Sequence, residues 1–255
     1  MDYELLVNTA VLAGELMLSG GAETYRVEDT MIRILKMSGL AVAETVATTT
    51  GIYVTLSDKS INTITFIKRV NVRNTNLERI YEVNEVSRKF CNRQMTLEEA
   101  NEKLHRISKL QTYRQPIIYL CTIITAAFFT VLYGGNAVDF AIGAFNGGIL
   151  ALFSFLVSKV RINLFIRNMV AALLVTISSA IFLRYFQSYI HITILLTGSI
   201  TPLVPGVAIT NAIRDTFQGD YMSGGARAIE AFVAATAISV GVGVGLALFR
   251  VYVNL

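Results

Sequence analysis

Apolar and polar positions alternate along residues 1–114 at spacings typical of helices and strands. Apolar residues recur at helical spacing over 5–17. Residues 42–56 and 61–70 are rich in Thr, Val and Ile and alternate with a period of two, which predicts a β-hairpin. The segment 1–114 therefore predicts a small cytosolic α+β domain with its own core. Further helical patterns occur over 27–35, 80–90 and 96–107.

The pattern changes at residue 115, where long apolar runs replace the mixed pattern. Each run is long enough to cross the roughly 30 Å hydrocarbon core as a helix, which needs roughly 17–25 residues. Because the connections between the runs are short, the helices are expected to be antiparallel neighbours. Helices are the expected form because all their backbone polar groups are hydrogen-bonded within the segment, which lipid requires. Residues 115–255 thus predict a transmembrane domain, an all-α bundle of five helices. The predicted spans lie near 116–133, 138–158, 168–186, 190–213 and 227–251.

Composition and charge agree with this division and exclude several classes of protein. The chain of 255 residues is 53% hydrophobic and 16% charged, and its mean hydropathy is +0.54. Residues 1–114 contain 15 of the 22 Lys and Arg residues and 14 of the 18 Asp and Glu residues. A soluble enzyme, a disordered protein and a disulfide scaffold are therefore not expected. The nearly balanced N-terminal charge gives no basic face for nucleic acid, so membrane lipid is the expected environment.

The cations in the predicted loops indicate the orientation of the chain. The loops on one side of the membrane contain only Arg184, with Arg250 at the far end of the last span. The positive-inside rule then places the N-terminus in the cytoplasm and the C-terminus outside the cell (inner) membrane. The loops on the cytoplasmic side contain Lys109, Arg114, Lys159, Arg161, Arg167, Arg214 and Arg227.

Catalytic chemistry has little support in the sequence. The densest polar cluster, residues 14–28, offers Glu15, Glu23 or Glu28 as a general base beside Arg26. The favoured alternative is a helix–turn–helix in which glutamates stabilise the N-terminal end of the second helix. The chain contains no nucleophile elbow, P-loop or zincin pattern. We therefore predict no catalytic residue, no metal site and no cofactor.

The most informative feature is a pair of prolines inside the fourth predicted span. Pro202 and Pro205, followed by Gly206, predict a break into two half-helices. Such a break is expected to free the carbonyls of Gly198 and Thr201 for an ammonium group, and to expose backbone N–H groups from Gly206 onward for a carboxylate. Many transporters bind small charged solutes in this way. The alternative is a simple proline kink repaired by neighbouring groups.

Other polar residues extend this candidate site. Asn146 in the second span either lines the site or makes an interhelical hydrogen bond at a small-residue contact. The predicted substrate-binding residues are Thr201, Pro202, Pro205, Gly206, Thr210, Asn211 and Asn146.

Four charged residues near the cytoplasmic side are candidates for coupling or charge pairing. Asp215 or Glu230 is the predicted proton-linked group if protons are the coupling ion, and Arg214 and Arg227 are the further coupling or charge-pair candidates. The alternative for Arg227 and Glu230 is a structural ion pair on one helix face. Gly241 and Gly245 have GxxxG spacing, which favours helix packing or association of subunits such as a homo-oligomer.

Two separated motifs resemble the ThrE-type threonine/serine exporter family. One is the stretch 14–28, GELMLSGGAETYRVE, and the other comprises TPLVPG at 201–206 and NAIRD at 211–215. The resemblance covers nearly the whole chain and implies a cytosolic domain before a five-helix membrane unit. The chain resembles the YjjP-like large subunit of the split, two-component form, in which a small hydrophobic membrane subunit supplies the missing half.

The resemblance implies export of threonine and serine, or of the dicarboxylate succinate in split members. We therefore predict a secondary transporter that exports small carboxylate-bearing metabolites. The gradient of protons or another ion would drive it, because the chain has no ATP-binding motif. The alternative is a non-transporting membrane scaffold or regulatory subunit whose cytosolic domain binds a partner.

Overall fold

The computed structural model describes residues 1–71, 75–109, 113–160 and 162–253. Arg161, one of the cations used to predict the orientation, lies outside these ranges. The chain divides into two compact units. The first unit comprises Met1–Thr112 and Val207–Ile229, and the second comprises Tyr113–Gly206 and Glu230–Leu255. The first unit thus combines the predicted N-terminal segment with a stretch located near the C-terminal end of the sequence.

The described residues of the N-terminal part of the first unit form four helices and one antiparallel sheet of three strands in the order β1-β2-β3. The prediction of one strand over 42–56 was wrong, because the chain reverses at Thr49-Thr50 and forms two antiparallel strands there. The elements are α1 (Tyr3–Ser19), α2 (Thr24–Lys36), β1 (Val42–Thr48), β2 (Gly51–Asp58), β3 (Ile61–Arg69), α3 (Leu77–Cys91) and α4 (Leu97–Lys109).

Helix α1 is the centre of this unit's core. Leu6 and Met17 of α1 are fully buried, as are Met31 of α2 and Ile52 of β2. Gly14 allows this approach, because a Cβ atom there would lie 2.3 Å from the Met31 sulfur. The burial of α1 between α2 and β2 explains why this helix is apolar over most of its surface although it belongs to the more polar segment 1–114.

The remaining helices form the apolar part of the chain, which begins at residue 115. Within the described ranges, four helices are long and apolar enough to cross a membrane, and α8 with α9 would make a fifth span if the bent pair is counted as one. The predicted class, a mostly helical membrane protein with a small sheet, is therefore confirmed at this level. The helices are α5 (Gln115–Leu132), α6 (Ala137–Val157), α7 (Leu164–Phe186), α8 (Ile192–Ile200), α9 (Gly206–Phe217) and α10 (Tyr221–Val253).

Two helices begin earlier than the apolar pattern predicts. Helix α7 starts at Leu164 rather than residue 168, because the Asn163 side chain caps it by accepting from the Phe165 N–H. Helix α10 starts at Tyr221 rather than residue 227, and the Asp220 carboxylate accepts from the Ser223 N–H at 3.1 Å. Hydropathy locates the lipid-facing part of a helix, whereas the caps determine where the helix begins.

The glycines of α10 serve helix packing within the second unit. A Cβ atom at Gly241 would lie 2.2 Å from the Met169 carbonyl oxygen, and one at Gly245 would lie 2.7 Å from Thr176 Cβ. Both neighbours belong to α7. Of the two roles predicted for the GxxxG pair, the structure therefore shows close helix packing inside one chain.

Candidate functional site

The predicted interruption of the fourth span is present. Helix α8 ends at Ile200, a short 3₁₀ turn follows over Thr201–Leu203, and α9 begins at Gly206. The helices on either side of the break are bent by 66°. A proline at the second position of the turn and another directly before α9 remove the donors that a continuous helix would need.

The break leaves fewer free backbone groups than the sequence predicts. The Gly198 carbonyl accepts from the Thr201 N–H, and the Thr201 carbonyl accepts from the Val204 N–H at 3.0 Å. The Gly206 N–H donates to the Val204 carbonyl at 2.8 Å. The expectation that these two carbonyls and this N–H are free was therefore wrong, because the tight turn satisfies them locally.

A buried polar contact lies one helical turn before the break. Asn146 of α6 is fully buried, and its side-chain NH₂ donates to the hydroxyl oxygens of Ser179 on α7 and Ser199 on α8, each at 2.9 Å. Ser199 precedes Pro202 by three residues. Of the two interpretations of Asn146, the structure thus shows the interhelical hydrogen bond.

The other end of the Asn146 amide remains available. Among the described residues, its buried carbonyl oxygen accepts no hydrogen bond. An unsatisfied buried acceptor costs roughly 1–3 kcal/mol. A donor supplied by a bound solute would remove this cost, which makes the position chemically suited to an ammonium or hydroxyl group.

Several predicted site residues belong to a different cluster, in the first unit. We define the motif cluster as residues 21–24 together with Asn211, Arg214, Asp215 and Arg227. The Asn211 side chain donates to the Gly21 carbonyl at 2.8 Å, and Arg214 forms a hydrogen-bonded ion pair with Glu23. The two sequence motifs that suggest the family are therefore in direct contact.

The centre of the motif cluster is a buried ion pair. Arg227 Nε lies 2.9 Å from Asp215 Oδ2, and the two side chains are 6% and 0% exposed. Asp215 also accepts from the Thr24 N–H at 3.1 Å, while Arg227 Nη2 donates to the Ala22 carbonyl at 2.8 Å. Arg227 and Asp215 thus hold the turn before α2 by charge as well as by hydrogen bonds.

The two glutamates of this region have opposite electrostatic environments. The pKa of Glu28 lies above the ordinary glutamate value, mainly because burial raises it. The hydrogen bond from the Ala47 N–H lowers this pKa, whereas the Asp220 and Asp215 carboxylates raise it further. Burial also raises the pKa of Glu23. Its own backbone N–H and the guanidinium groups of Arg214 and Arg26 lower this pKa by more, so the pKa of Glu23 lies below the ordinary glutamate value.

The remaining candidates occupy other places. Glu15 forms an ion pair with Lys68 of β3 at 3.2 Å. Thr210 is exposed on α9, and the Thr201 hydroxyl donates to the Thr197 carbonyl at 2.9 Å within its own helix. Among the described residues, no group of three or more His, Cys, Asp or Glu side chains could hold a metal ion.

Sequence reasoning did not identify Ser179 or Ser199 as partners of Asn146. Serine and threonine are frequent in membrane helices, so their presence alone carries no signal. Only the spacing of Ser199 from Pro202 relates one of them to a feature that the sequence reveals.

The helices, their apolar surfaces and the interrupted span define a multi-pass membrane protein. A family model described as "Putative threonine/serine exporter", ThrE, matches residues 8–249. The chain belongs to the ThrE family, which confirms the resemblance seen in its two motifs. The split, YjjP-like form remains a prediction.

Two curated fungal proteins are similar to the chain. The "Uncharacterized protein C16A10.01" of Schizosaccharomyces pombe is 25% identical over 191 residues, which are 72% of this chain and 23% of that protein. "Pheromone-regulated membrane protein 10" of Candida glabrata is 23% identical over 237 residues, 90% of this chain and 29% of that protein. The chain thus spans less than a third of the length of these relatives. No solved structure matches it.

Proposed function

We propose that this chain is the large subunit of a secondary transporter in the cell inner membrane that exports small carboxylate-bearing metabolites. Membership of the ThrE family supports the exporter class. The observation that carries the proposal is the buried carbonyl oxygen of Asn146, which accepts no hydrogen bond among the described residues and belongs to a side chain bonded to Ser199 of the interrupted span. Interrupted helices beside buried polar groups are typical of solute sites in transporters.

The chemistry of Asn146 favours threonine or serine over succinate as the exported solute. An amino acid brings an ammonium group, and threonine and serine also bring a hydroxyl group, so each has donors for an amide oxygen. Succinate in its charged form has only acceptors. The Asn146 contacts that the structure describes are with Ser179 and Ser199, and neither side chain is a cation that would favour a dicarboxylate.

We further propose that a small hydrophobic membrane subunit completes the transporter and that an ion gradient drives it. The resemblance to the split form supports the second subunit. Asp215 and Glu230 remain the proposed proton-linked groups, with Arg227 as the charge partner of Asp215, while Arg214 pairs with Glu23. The ion pair between Asp215 and Arg227 supports this for one of the two carboxylates.

Efflux from liposomes tests the proposal. The chain is reconstituted with and without the small subunit, and efflux of labelled threonine, serine and succinate is measured under an imposed proton gradient. We expect Asn146→Ala to reduce threonine efflux at least about tenfold, the equivalent of one lost hydrogen bond of about 1.4 kcal/mol.

The matched control is Ser179→Ala, which removes one hydrogen-bond partner of Asn146 but keeps its carbonyl oxygen. This variant should retain most of the efflux. Equal losses in both variants would assign Asn146 a packing role only. The absence of efflux of all three solutes from wild-type liposomes that contain both subunits would favour the scaffold alternative.

A further inference from the structure

A polar cavity lies in the first unit, formed by α1, the end of β3, α3 and α4. Its volume is about 580 Å³, within the range of roughly 300–1,000 Å³ that small-molecule sites occupy. The polar side chains on its wall, among the described residues, are Glu15, Ser19, Lys68, Arg69, Asn71, Arg79 and Ser108. None of them was a substrate-binding candidate.

The cavity wall has a surplus of positive charge. Glu15 is its single carboxylate, and it is already paired with Lys68 at 3.2 Å. Among the described residues, Arg69 and Arg79 form no ion pair, so two guanidinium charges remain uncompensated beside the cavity. Charges of one sign in a concave site raise the local concentration of the opposite ion.

Arg79 supplies an independent sign of a missing partner. Its Nε atom is buried and, among the described residues, has no hydrogen-bond acceptor. The Arg79 backbone N–H is occupied, because it donates to the side chain of Asn76 at the start of α3. The Arg79 backbone is therefore held at the start of α3, while the buried Nε atom of its half-buried side chain lacks, among the described residues, the acceptor that buried polar atoms normally have.

We propose that this cavity binds a small anionic metabolite through its carboxylate or phosphate oxygens, with Arg79 and Arg69 as the anion-binding residues. The planar guanidinium group matches both kinds of oxyanion with paired hydrogen bonds. Ser19 and Ser108 add hydroxyl oxygens that can accept from the rest of the ligand, because their own protons donate to the Leu16 and His105 carbonyls. The site lies in the first unit and does not rest on the proposed transport function.

Titration calorimetry on the full-length chain in detergent tests the proposal, with citrate and inorganic pyrophosphate as probes. Sodium chloride at the same ionic strength serves as the reference for screening. We expect saturable binding of at least one probe, and Arg79→Gln and Arg69→Gln should each weaken it about tenfold or more. Binding of citrate alone identifies a carboxylate ligand, and binding of pyrophosphate alone identifies a phosphate ligand.

Arg88→Gln is the matched control, because Arg88 lies on the same helix but its side chain is 74% exposed and does not line the cavity. This variant should bind the probe like the wild type. Thermal melting without ligand shows whether each variant is folded, and Arg69→Gln decides the question if Arg79→Gln unfolds. The proposal is overturned if the wild type binds neither probe, or if the folded Arg69 and Arg79 variants bind as it does.

Discussion

The ion pair between Asp215 and Arg227 allows a prediction at the scale of single residues. Both side chains are buried, and removing one partner of a buried pair costs roughly 3–5 kcal/mol because a charge is left in a poorly solvated place. We expect Asp215→Asn to lower the stability of the chain in detergent by about this amount, measured as the loss in unfolding free energy.

The exposed pair Arg33–Asp29 is the control for that measurement. Its atoms lie 2.8 Å apart, but the side chains are 65% and 56% exposed. Asp29→Asn should therefore cost less than about 1 kcal/mol. Similar losses for the two substitutions would mean that the Asp215–Arg227 pair contributes no more than an ion pair in water.

Glu28 and Glu23 predict opposite dependences of stability on pH. The raised pKa of Glu28 gives stability that is complete below the ordinary glutamate pKa and is lost as the pH rises through the raised value. The lowered pKa of Glu23 gives stability that is present above the ordinary pKa and is lost as the pH falls through the lowered value.

Melting temperatures of Glu28→Gln and Glu23→Gln from about pH 4 to about pH 8 check this. Relative to the wild type, Glu28→Gln should gain stability toward the alkaline end, while Glu23→Gln should lose stability there. Each serves as the control for the other, since both remove one carboxylate from the same helix region. Parallel pH curves for the two variants would contradict the assigned environments.

At the scale of elements, the interrupted span shows what a sequence can and cannot predict. Two prolines in an apolar run predict the break, because proline lacks the backbone donor wherever it occurs. The fate of the Gly198 and Thr201 carbonyls depends on the backbone angles of the turn between the prolines. Those angles allow short-range hydrogen bonds, which composition does not reveal.

The contact between α5 and α8 gives a prediction for these elements. A Cβ atom at Gly198 would lie 2.3–2.5 Å from the hydroxyl oxygen, Cα and N atoms of Thr130, and two of these are backbone atoms that cannot turn away. We expect Gly198→Ala to separate the helices and to cost about 1–3 kcal/mol or more in unfolding free energy.

Gly206→Ala is the matched control at the other side of the break. A Cβ atom at Gly206 meets nothing within 4 Å, and alanine is the better helix former. This variant should be at least as stable as the wild type in the same thermal melting assay. A destabilised Gly206→Ala with an unaffected Gly198→Ala would show that the helices pack differently.

At the scale of the whole molecule, the sequence predicts the lipid-crossing segments better than the long-range contacts. Hydropathy locates the apolar helices, because a span is a local property of about 20 residues. The contacts of residues 21–24 with Asn211 and Arg227 bridge 190 and 205 positions of the chain. Both motifs are visible in the sequence, but their spacing contains no information about whether they meet.

The number of spans has a consequence that can be measured in intact cells. If α8 and α9 together cross the membrane, the chain has five spans and its termini lie on opposite sides; if they return to the same side, it has four. Some apolar side chains of α9 are exposed and suit contact with lipid, which favours five spans; they include Val207, Ile213 and Phe217.

Cysteine labelling distinguishes the two cases. In a background with Cys91 and Cys121 replaced by serine, we expect an impermeant maleimide to label Tyr189→Cys and a cysteine appended at the C-terminus. Lys59→Cys, in the turn between β2 and β3, should react only after the cells are permeabilised, which is the control for reactivity. Protection of the C-terminal cysteine together with labelling of Tyr189→Cys would establish four spans, and α8 and α9 would then form a re-entrant segment.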